Sequence, residues 1–367
     1  MVEGRATRRA TTQKDIAEHL RVSVMTVSKA LKGHPDISDK TRQLVLRTAR
    51  DMHYTVNVLA RNLVLRRTHT VGVVVPDISE PFFAEMIRAT ERRLREQAYN
   101  LLLADSDNDP EIELGAVRTL LEKRVDGCIL APTEKSRRPL ELLRGARIPF
   151  VLVNTSSSFA ACDVVGVDRA DGARQSISHL LACGYQDIYH LSTYEQREQS
   201  RETTRGCYEA LDAFKRARRE LRLLHCPRHD LETFYRTARE QIRDEGRRIG
   251  VFVWDDEMAV GVWRAVAEKG WPVPERVGIV GFDDVEISRF LPKALTTVAH
   301  PKAEMGRMAA DRLIECLGSA RRLPPRRTRL AVSLIQRETT AAGPGRTGPA
   351  PSVREPSTAG EPGRSRS

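Results

Sequence analysis

The sequence predicts an N-terminal all-α helix-turn-helix module followed by an α/β core of two parallel-sheet subdomains. Three observations lead there. Residues 11–53 show helical periodicity in three short pieces. From Val71 the texture changes, and apolar runs of strand length alternate with longer amphipathic stretches. The alternation continues past the size of one sheet, so the 367-residue chain divides its core in two.

Taken in order, residues 1–10 (MVEGRATRRA) form a basic arm without apolar periodicity, expected to be disordered. In TTQKDIAEHLRVSVMTVSKALKG (11–33), Ile16, Ala17 and Leu20 share one face, which gives a first helix over 12–20. Arg21 and Val22 turn the chain. Ser23 can cap a second helix that buries Val27, Ala30 and Leu31. Two short helices across a tight turn are the helix-turn-helix outline. In such motifs the start of the second helix enters the major groove. The positions exposed there are Val24, Met25, Ser28 and Lys29. Val24 and Met25 suit thymine methyls, and Lys29 suits a guanine edge or a phosphate. The hydroxyls of Ser23, Thr26 and Ser28 suit phosphates, which set register. The plain alternative is a small helical bundle that binds nothing.

Residues 54–68 make a short basic connection, and 69–338 form the core. Its apolar runs are VGVVV (71–75), NLLLA (100–104), GCILA (127–131), PFVLV (149–153), DIYHL (187–191), GVFVW (250–254) and VGIVG (277–281). Helix-like stretches lie near 81–98, 110–124, 168–183, 200–219, 231–244 and 256–269. Continuous apolar strands between helices indicate parallel sheets covered on both faces. Chain crossings between the two subdomains are expected near 166, 292 and 325. Residues 339–367, rich in Pro, Gly, Ser, Thr and Arg, should be a disordered tail.

The charge distribution supports the same division. The net charge is +11. Residues 1–70 hold 14 Lys+Arg against 6 Asp+Glu, and 341–367 hold 4 Arg against 2 Glu. That leaves a nearly neutral body behind a basic head, which suggests that the head meets a polyanion. A solvated tail is the bland alternative.

Other classes find little support. No run of about 18 apolar residues occurs, so no membrane span is expected. No apolar run follows the basic N-terminus, so no secretory signal is read there. Six scattered cysteines (128, 162, 183, 207, 226, 316) without a CxxC pair read as reduced cytosolic thiols. His225, Cys226 and His229 in HCPRH lack a second ligand pair, so they read as a surface loop without metal. No P-loop, nucleophile-elbow or HExxH motif is present, and no cofactor is expected.

These residues carry a resemblance. KDIAEHLRVSVMTVSKAL (14–31), ISDKTRQLVLRTARDMHYTVNVLARNL (37–63), THTVGVVVPDISEPFFAEM (68–86), RVDGCILAP (124–132), VGIVGFDDVEISRF (277–290) and PKALTTVAHP (292–301) together resemble the LacI/GalR family of bacterial transcription regulators. The likeness runs from about residue 11 to 338. It implies a repressor that binds a palindromic DNA operator as a homodimer in the cytoplasm. It also implies a periplasmic-binding-protein-like, two-lobed core holding a small-molecule effector, sugar-like or purine-like. Residues 55–67 resemble the family's hinge helix, which lies in the minor groove. By that resemblance Leu63 is the wedge that opens the central base step, and Asn57 and Arg61 face the DNA backbone. One departure is Arg21, where the family often has glycine. If φ is positive there, arginine costs roughly 1 kcal/mol.

Ligands of such cores sit at the carboxyl ends of parallel strands. Asn154 ends PFVLVN, Asp255 and Asp256 end GVFVW, and Asp283 and Asp284 end VGIVGF. The resemblance places effector contacts on Asn154, Arg201, Asp255 and Asp283, with Phe82 and Phe83 as an aromatic wall and Phe234 as a further candidate. Asn154 and Asp255 depart from the family, where aspartate and asparagine are common at those positions. Asp255 and Asp283 also precede helices, so capping alone is an alternative for each. A solute-binding module without DNA function, or a sugar-acting enzyme using the paired carboxylates, are the rival classes. For the dimer face, the helix 81–98 and the segment after Asp284 are the candidates.

Overall fold

The structure, a computed structural model, describes residues 11–54, 67–133, 136–155, 161–193, 198–214 and 220–341. The chain divides into two units, residues 1–68 and 69–367.

In the first unit, helix α1 (Gln13–Leu20) starts at Thr12. The Thr12 hydroxyl accepts from the Asp15 amide, while the Asp15 carboxylate accepts from the Thr12 amide. This reciprocal box satisfies two donors that the first turn leaves open. The helix stops at Arg21, which is left-handed at φ 54° and ψ 42°. Helix α2 (Val24–Leu31) begins behind Ser23, whose Oγ accepts from the Thr26 amide at 3.0 Å. Helix α3 (Asp39–Asp51) begins in the same way behind Ser38. Ile16, Ala17, Val27, Ala30, Val45 and Ala49 form the buried core, with Leu20, Val22 and Leu31 packed on it. A core this small leaves stability marginal.

The second unit holds two six-stranded sheets. The first lobe contains β1 (Thr70–Val75), β2 (Asn100–Asp105), β3 (Gly127–Leu130), β4 (Phe150–Val153), β5 (Asp163–Val167) and, from far along the chain, β11 (Arg327–Leu330). Their order is β11-β5-β4-β3-β1-β2, all parallel. Helices α4 (Pro81–Glu96), α5 (Pro110–Glu122), α6 (Arg137–Gly145) and α11 (Lys302–Gly318) cover it. The second lobe contains β6 (Asp187–Thr193), β7 (Leu221–Cys226), β8 (Ile249–Val253), β9 (Val277–Asp283), β10 (Thr296–Ala299) and β12 (Ser333–Ile335). These run in the order β12-β10-β9-β8-β6-β7, parallel except for β12, which pairs antiparallel with β10. Its helices are α7 (Arg169–Ala182), α8 (Glu198–Ala213), α9 (Leu231–Gln241) and α10 (Asp256–Glu268).

Central strands such as β3, β8 and β9 are buried at every residue, which is why they read as unbroken apolar runs. Two glycines let helices approach closely. A Cβ on Gly206 in α8 would fall on the Ala170 carbonyl of α7, and one on Gly306 in α11 would fall on the Met86 carbonyl of α4.

The chain crosses between lobes three times: at Asp168, at residues 300–301 and at residues 331–332. The first matches expectation. The expected positions 292 and 325 fall short because TTVA (296–299) still belongs to the second sheet and RTRL (327–330) to the first. Both strands are only four residues long, and the second is half arginine. The basic arm, the hinge segment with Asn57, Arg61 and Leu63, and the tail after Ala341 lie outside the described residues.

The six cysteines are thiols, five buried and Cys316 half-buried. Burial pushes Cys128 up to about 12 and Cys226 up to about 11, as expected for core fillers. Among the described residues no helix is long and apolar enough to cross a membrane.

Candidate functional site

Two sites emerge, one in each unit. On the first, α2 turns two faces outward and inward. Val27 and Ala30 are buried, whereas Val24 is 45% and Met25 66% exposed. Ser23 is exposed, and Thr26, Ser28 and Lys29 are half-buried along the same edge. The Lys29 ammonium lies 3.1 Å from Asp36, an exposed pair that is worth little and gives way readily to a stronger anion. An apolar tip ringed by hydroxyls and one cation has the groups that a base edge and its flanking phosphates require.

The second site is the cleft between the lobes. It is lined by Pro76, Glu80, Phe82, Phe83, Asn108, Ala131 and Pro132 from the first lobe. Asn154 also contributes, and the second lobe supplies Arg169, Gln199, His229, Trp254, Asp255 and Asp283. The strand ends place most of these. Asn154 follows β4 and is left-handed at φ 47°. Asp255 follows β8, and Asp283 ends β9 at φ 97°. Phe82 and Phe83 sit in the first turn of α4, edge to face with centroids 4.9 Å apart. The free space left between the lobes is about 50 Å³.

That space is small because side chains from the two lobes meet across it. The His229 Nε2 lies 2.5 Å from Asp255 Oδ2, and its Nδ1 lies 3.3 Å from Glu80 Oε1. Burial opposes a charge on His229, but the hydrogen bonds and charges of Asp255 and Glu80 outweigh it and raise the pKa to about 11. The ring is therefore an imidazolium at neutral pH. The Gln199 amide donates to the Asn154 carbonyl, a second bridge between lobes.

Deeper in, Asp283 accepts from His300 Nδ1 at 2.9 Å. Burial would raise the Asp283 pKa, yet the His300 hydrogen bond and the nearby Arg169 and Lys302 charges hold it below the usual carboxylate range. Burial keeps the His300 pKa low, so it donates as a neutral ring. Lys302 donates to the carbonyls of Asp283 and Asp284 at 2.5 and 3.1 Å. Arg169 lies with its guanidinium carbon 4.5 Å from the ring centroids of both Trp254 and Phe282.

The structure thus brings Phe82, Phe83, Asn154, Asp255 and Asp283 together, and corrects other expectations. Arg201 is not in the cleft. It is exposed on α8 and lines a surface groove with Tyr208 and His225. Gln199, two residues earlier, faces the cleft, and two residues turn a helix by about 200°. The carboxylates do not face the cleft in pairs. Asp256 is buried in the second lobe, accepting from the Thr297 hydroxyl and the Val285 amide. Asp284 pairs with Arg337 and Arg289. Asp255 does cap α10, accepting from the Met258 amide at 2.8 Å, but its other oxygen serves His229. Asp283 caps nothing. Phe234 is fully buried in the second-lobe core and is not a lining residue.

The expectation of a surface loop at HCPRH fails for His229, whose side chain is 10% exposed. No group of three or more potential ligands among the described residues could hold a metal. Arg169, Glu80 and Gln199 were not singled out from the sequence, and His229 was read only as part of a surface loop. For Arg169 a signal existed: it stands directly after a strand, beside Asp168.

A helix-turn-helix head with exposed reading positions, in one chain with a two-lobed α/β core, defines a DNA-binding regulator. Comparison with known proteins agrees. Residues 12–57 match the model of bacterial regulatory proteins of the lacI family, and 177–340 match the periplasmic binding protein-like domain. The chain is 32% identical over 311 residues to the HTH-type transcriptional repressor PurR of Haemophilus influenzae (strain PittEE), covering 83% of this chain and 90% of that protein. It is 29% identical to catabolite control protein A of Priestia megaterium, over 80% and 89% of the two chains. A LacI-family regulator from Enterococcus faecium, solved with bound ribose, is similar at TM-score 0.67 and 29% identity, over 74% and 99% of the chains. The Lac repressor dimer bound to operator and an anti-inducer shares the fold at TM-score 0.80, with 24% identity, over 91% and 100%. The chain belongs to the lacI family of bacterial regulatory proteins. It is a DNA-binding transcription regulator and not an enzyme.

Proposed function

We propose that this protein is a cytoplasmic repressor that binds a palindromic operator as a homodimer and responds to a small molecule held between its lobes. The observation that carries the DNA reading is the exposure of Met25 and Val24 on a helix whose other face is packed. Met25 and Val24 would touch thymine methyls, Lys29 a guanine edge or phosphate, and Ser23, Thr26 and Ser28 the backbone. Residues 54–68 would connect the head as a hinge, with Leu63 wedged into the central base step and Asn57 and Arg61 on the backbone. A two-fold dimer presents two such helices to two half-sites. The dimer face would be α4 together with the segment after Asp284. Ile287 is 45% and Phe290 73% exposed there, apolar side chains that a second copy would cover.

The cleft would be the effector site, with Asn154, Asp255 and Asp283 offering hydrogen bonds and Phe82 and Phe83 an apolar wall. A ligand that fits one arrangement of the lobes better than another shifts the dimer towards or away from its DNA-competent form. The test is selection of bound sites from a random duplex pool at about 150 mM salt, where non-specific binding is weak. A palindrome with a central CG step supports Met25 and Leu63 together. Recovery of no enriched sequence would refute the operator reading.

A further inference from the structure

We infer that the ligand of the interlobe cleft is a singly charged polyhydroxy carboxylate, a sugar acid of the aldonate or uronate class, and that Arg169 holds its carboxylate. The inference rests on the reading of the cleft as the effector site.

Arg169 opens α7 and is 6% exposed. Among the described residues no hydrogen bond or ion pair reaches its guanidinium, and its Nε is buried without a partner. Trp254 and Phe282 take up the ring of surrounding contact through their faces. Face contacts hold a guanidinium in place but leave its N–H edges unused. A buried cation with idle donors is costly unless something else satisfies them.

The protein's own carboxylates near it are committed elsewhere. Glu80 and Asp255 share His229, Asp283 accepts the Nδ1–H of His300, and Glu202 pairs with Arg329. The missing acceptor is therefore supplied from outside, and the planar fork of arginine matches a carboxylate in two parallel hydrogen bonds. Glu80, Asp255 and Asp283 already balance Arg169, His229 and Lys302, so the position has no surplus positive charge to meet a doubly charged phosphate ester. The rest of the lining suits hydroxyl groups: the amides of Gln199 and Asn154, and carboxylate oxygens able to accept from a polyol. With only about 50 Å³ free, a six-carbon ligand must part Gln199 from the Asn154 carbonyl and His229 from Glu80. Binding is thereby tied to the geometry of the lobes.

The experiment is calorimetric and thermal-shift titration of the full chain with D-gluconate, D-glucuronate and D-galacturonate. Each is compared with D-glucose, D-galactose and glucose 6-phosphate. At least one sugar acid should bind about tenfold or more tightly than its neutral parent and the phosphate ester, and should raise the melting temperature. Arg169→Met should lose that preference. Arg169→Lys keeps the charge without the fork, should also weaken binding, and decides the matter if the methionine variant does not fold. Equal binding of the neutral parent, tighter binding of the phosphate, no binding of any acid, or full affinity in both variants overturns the inference. A neutral sugar that binds and changes operator affinity would leave the sensor reading standing and remove only the anion. Failure of the duplex selection would remove the regulator reading, while the titration still judges Arg169.

Discussion

Replacing His229 with glutamine tests the bridge between the lobes. In the wild type the imidazolium sits between Asp255 at 2.5 Å and Glu80 at 3.3 Å, and the pair of acids lifts its pKa from 6.5 to about 11. That difference corresponds to a ceiling of about 6 kcal/mol at low pH, and losing one partner of a buried pair typically costs about 3–5 kcal/mol. Because the folded value lies above the unfolded one, the stabilisation is complete below pH 6.5 and is lost as pH climbs towards 11. In between, this one group makes stability fall by up to about 1.4 kcal/mol per pH unit. From pH 7 to pH 9 the wild type should therefore lose up to about 2.5 kcal/mol that His229→Gln, which carries no charge to lose, does not. Urea titration at both pH values reads the difference. Trp254, Trp263 and Trp271 all belong to the second lobe, so their fluorescence reports its unfolding. Parallel pH dependence in the two proteins would refute the charged bridge.

Four further outcomes are expected. Arg21→Gly should remove the left-handed strain after α1 and stabilise the head by about 1 kcal/mol, raising amide-exchange protection at Ile16 and Val27 about fivefold; unchanged protection would count against strain. Gly306→Ala should cost about 1–3 kcal/mol in thermal unfolding, since its Cβ would meet the Met86 carbonyl, and an unshifted midpoint would deny the close approach of α11 to α4. His190 is buried against Phe252, and burial lowers its pKa to about 4. The unfolded chain therefore takes the proton first, and stability should fall by up to about 3 kcal/mol as pH drops from 6.5 to 4. A His190→Phe variant with the same acid sensitivity would refute this. Leu63→Ala should weaken operator binding far more than binding to random DNA in paired titrations; equal loss in both would dismiss the wedge.

Much of this molecule was legible because burial on both faces leaves an unmistakable apolar run. VGVVV, GCIL and VGIVG announced their strands, and Ser23 announced the start of α2. Several other strands were not, whether at a sheet edge or inside one. LRLLHC, TTVA and RTRL are only partly covered or very short, so polar residues interrupt them. Helix α11 packs against the first lobe although its sequence follows the second, and periodicity carries no address. The same limit governed the cleft. Asn154, Asp255 and Asp283 could be read because strand ends define them. His229 stands in a loop beside Arg228, and its meaning comes from Glu80, almost 150 positions away and in the other lobe. Arg201 and Gln199 share one polar helix, and nothing local says which of them looks inward.

The three crossings also set an order of assembly. The first lobe is built from residues 69–167 and then, after the whole of the second, from α11 and β11. Until Lys302–Gly318 leaves the ribosome the helices over β3 to β5 are incomplete, and until Arg327–Leu330 follows, β5 has no neighbour on its outer side. The head, with its own small core within residues 13–54, has all its parts some 270 residues earlier. A nascent chain thus owns its DNA-reading surface long before it owns a sensor. Any chain that ends before Arg327 keeps the reader and loses the wall of the first sheet, which makes the last strands of the core the ones on which regulated binding depends.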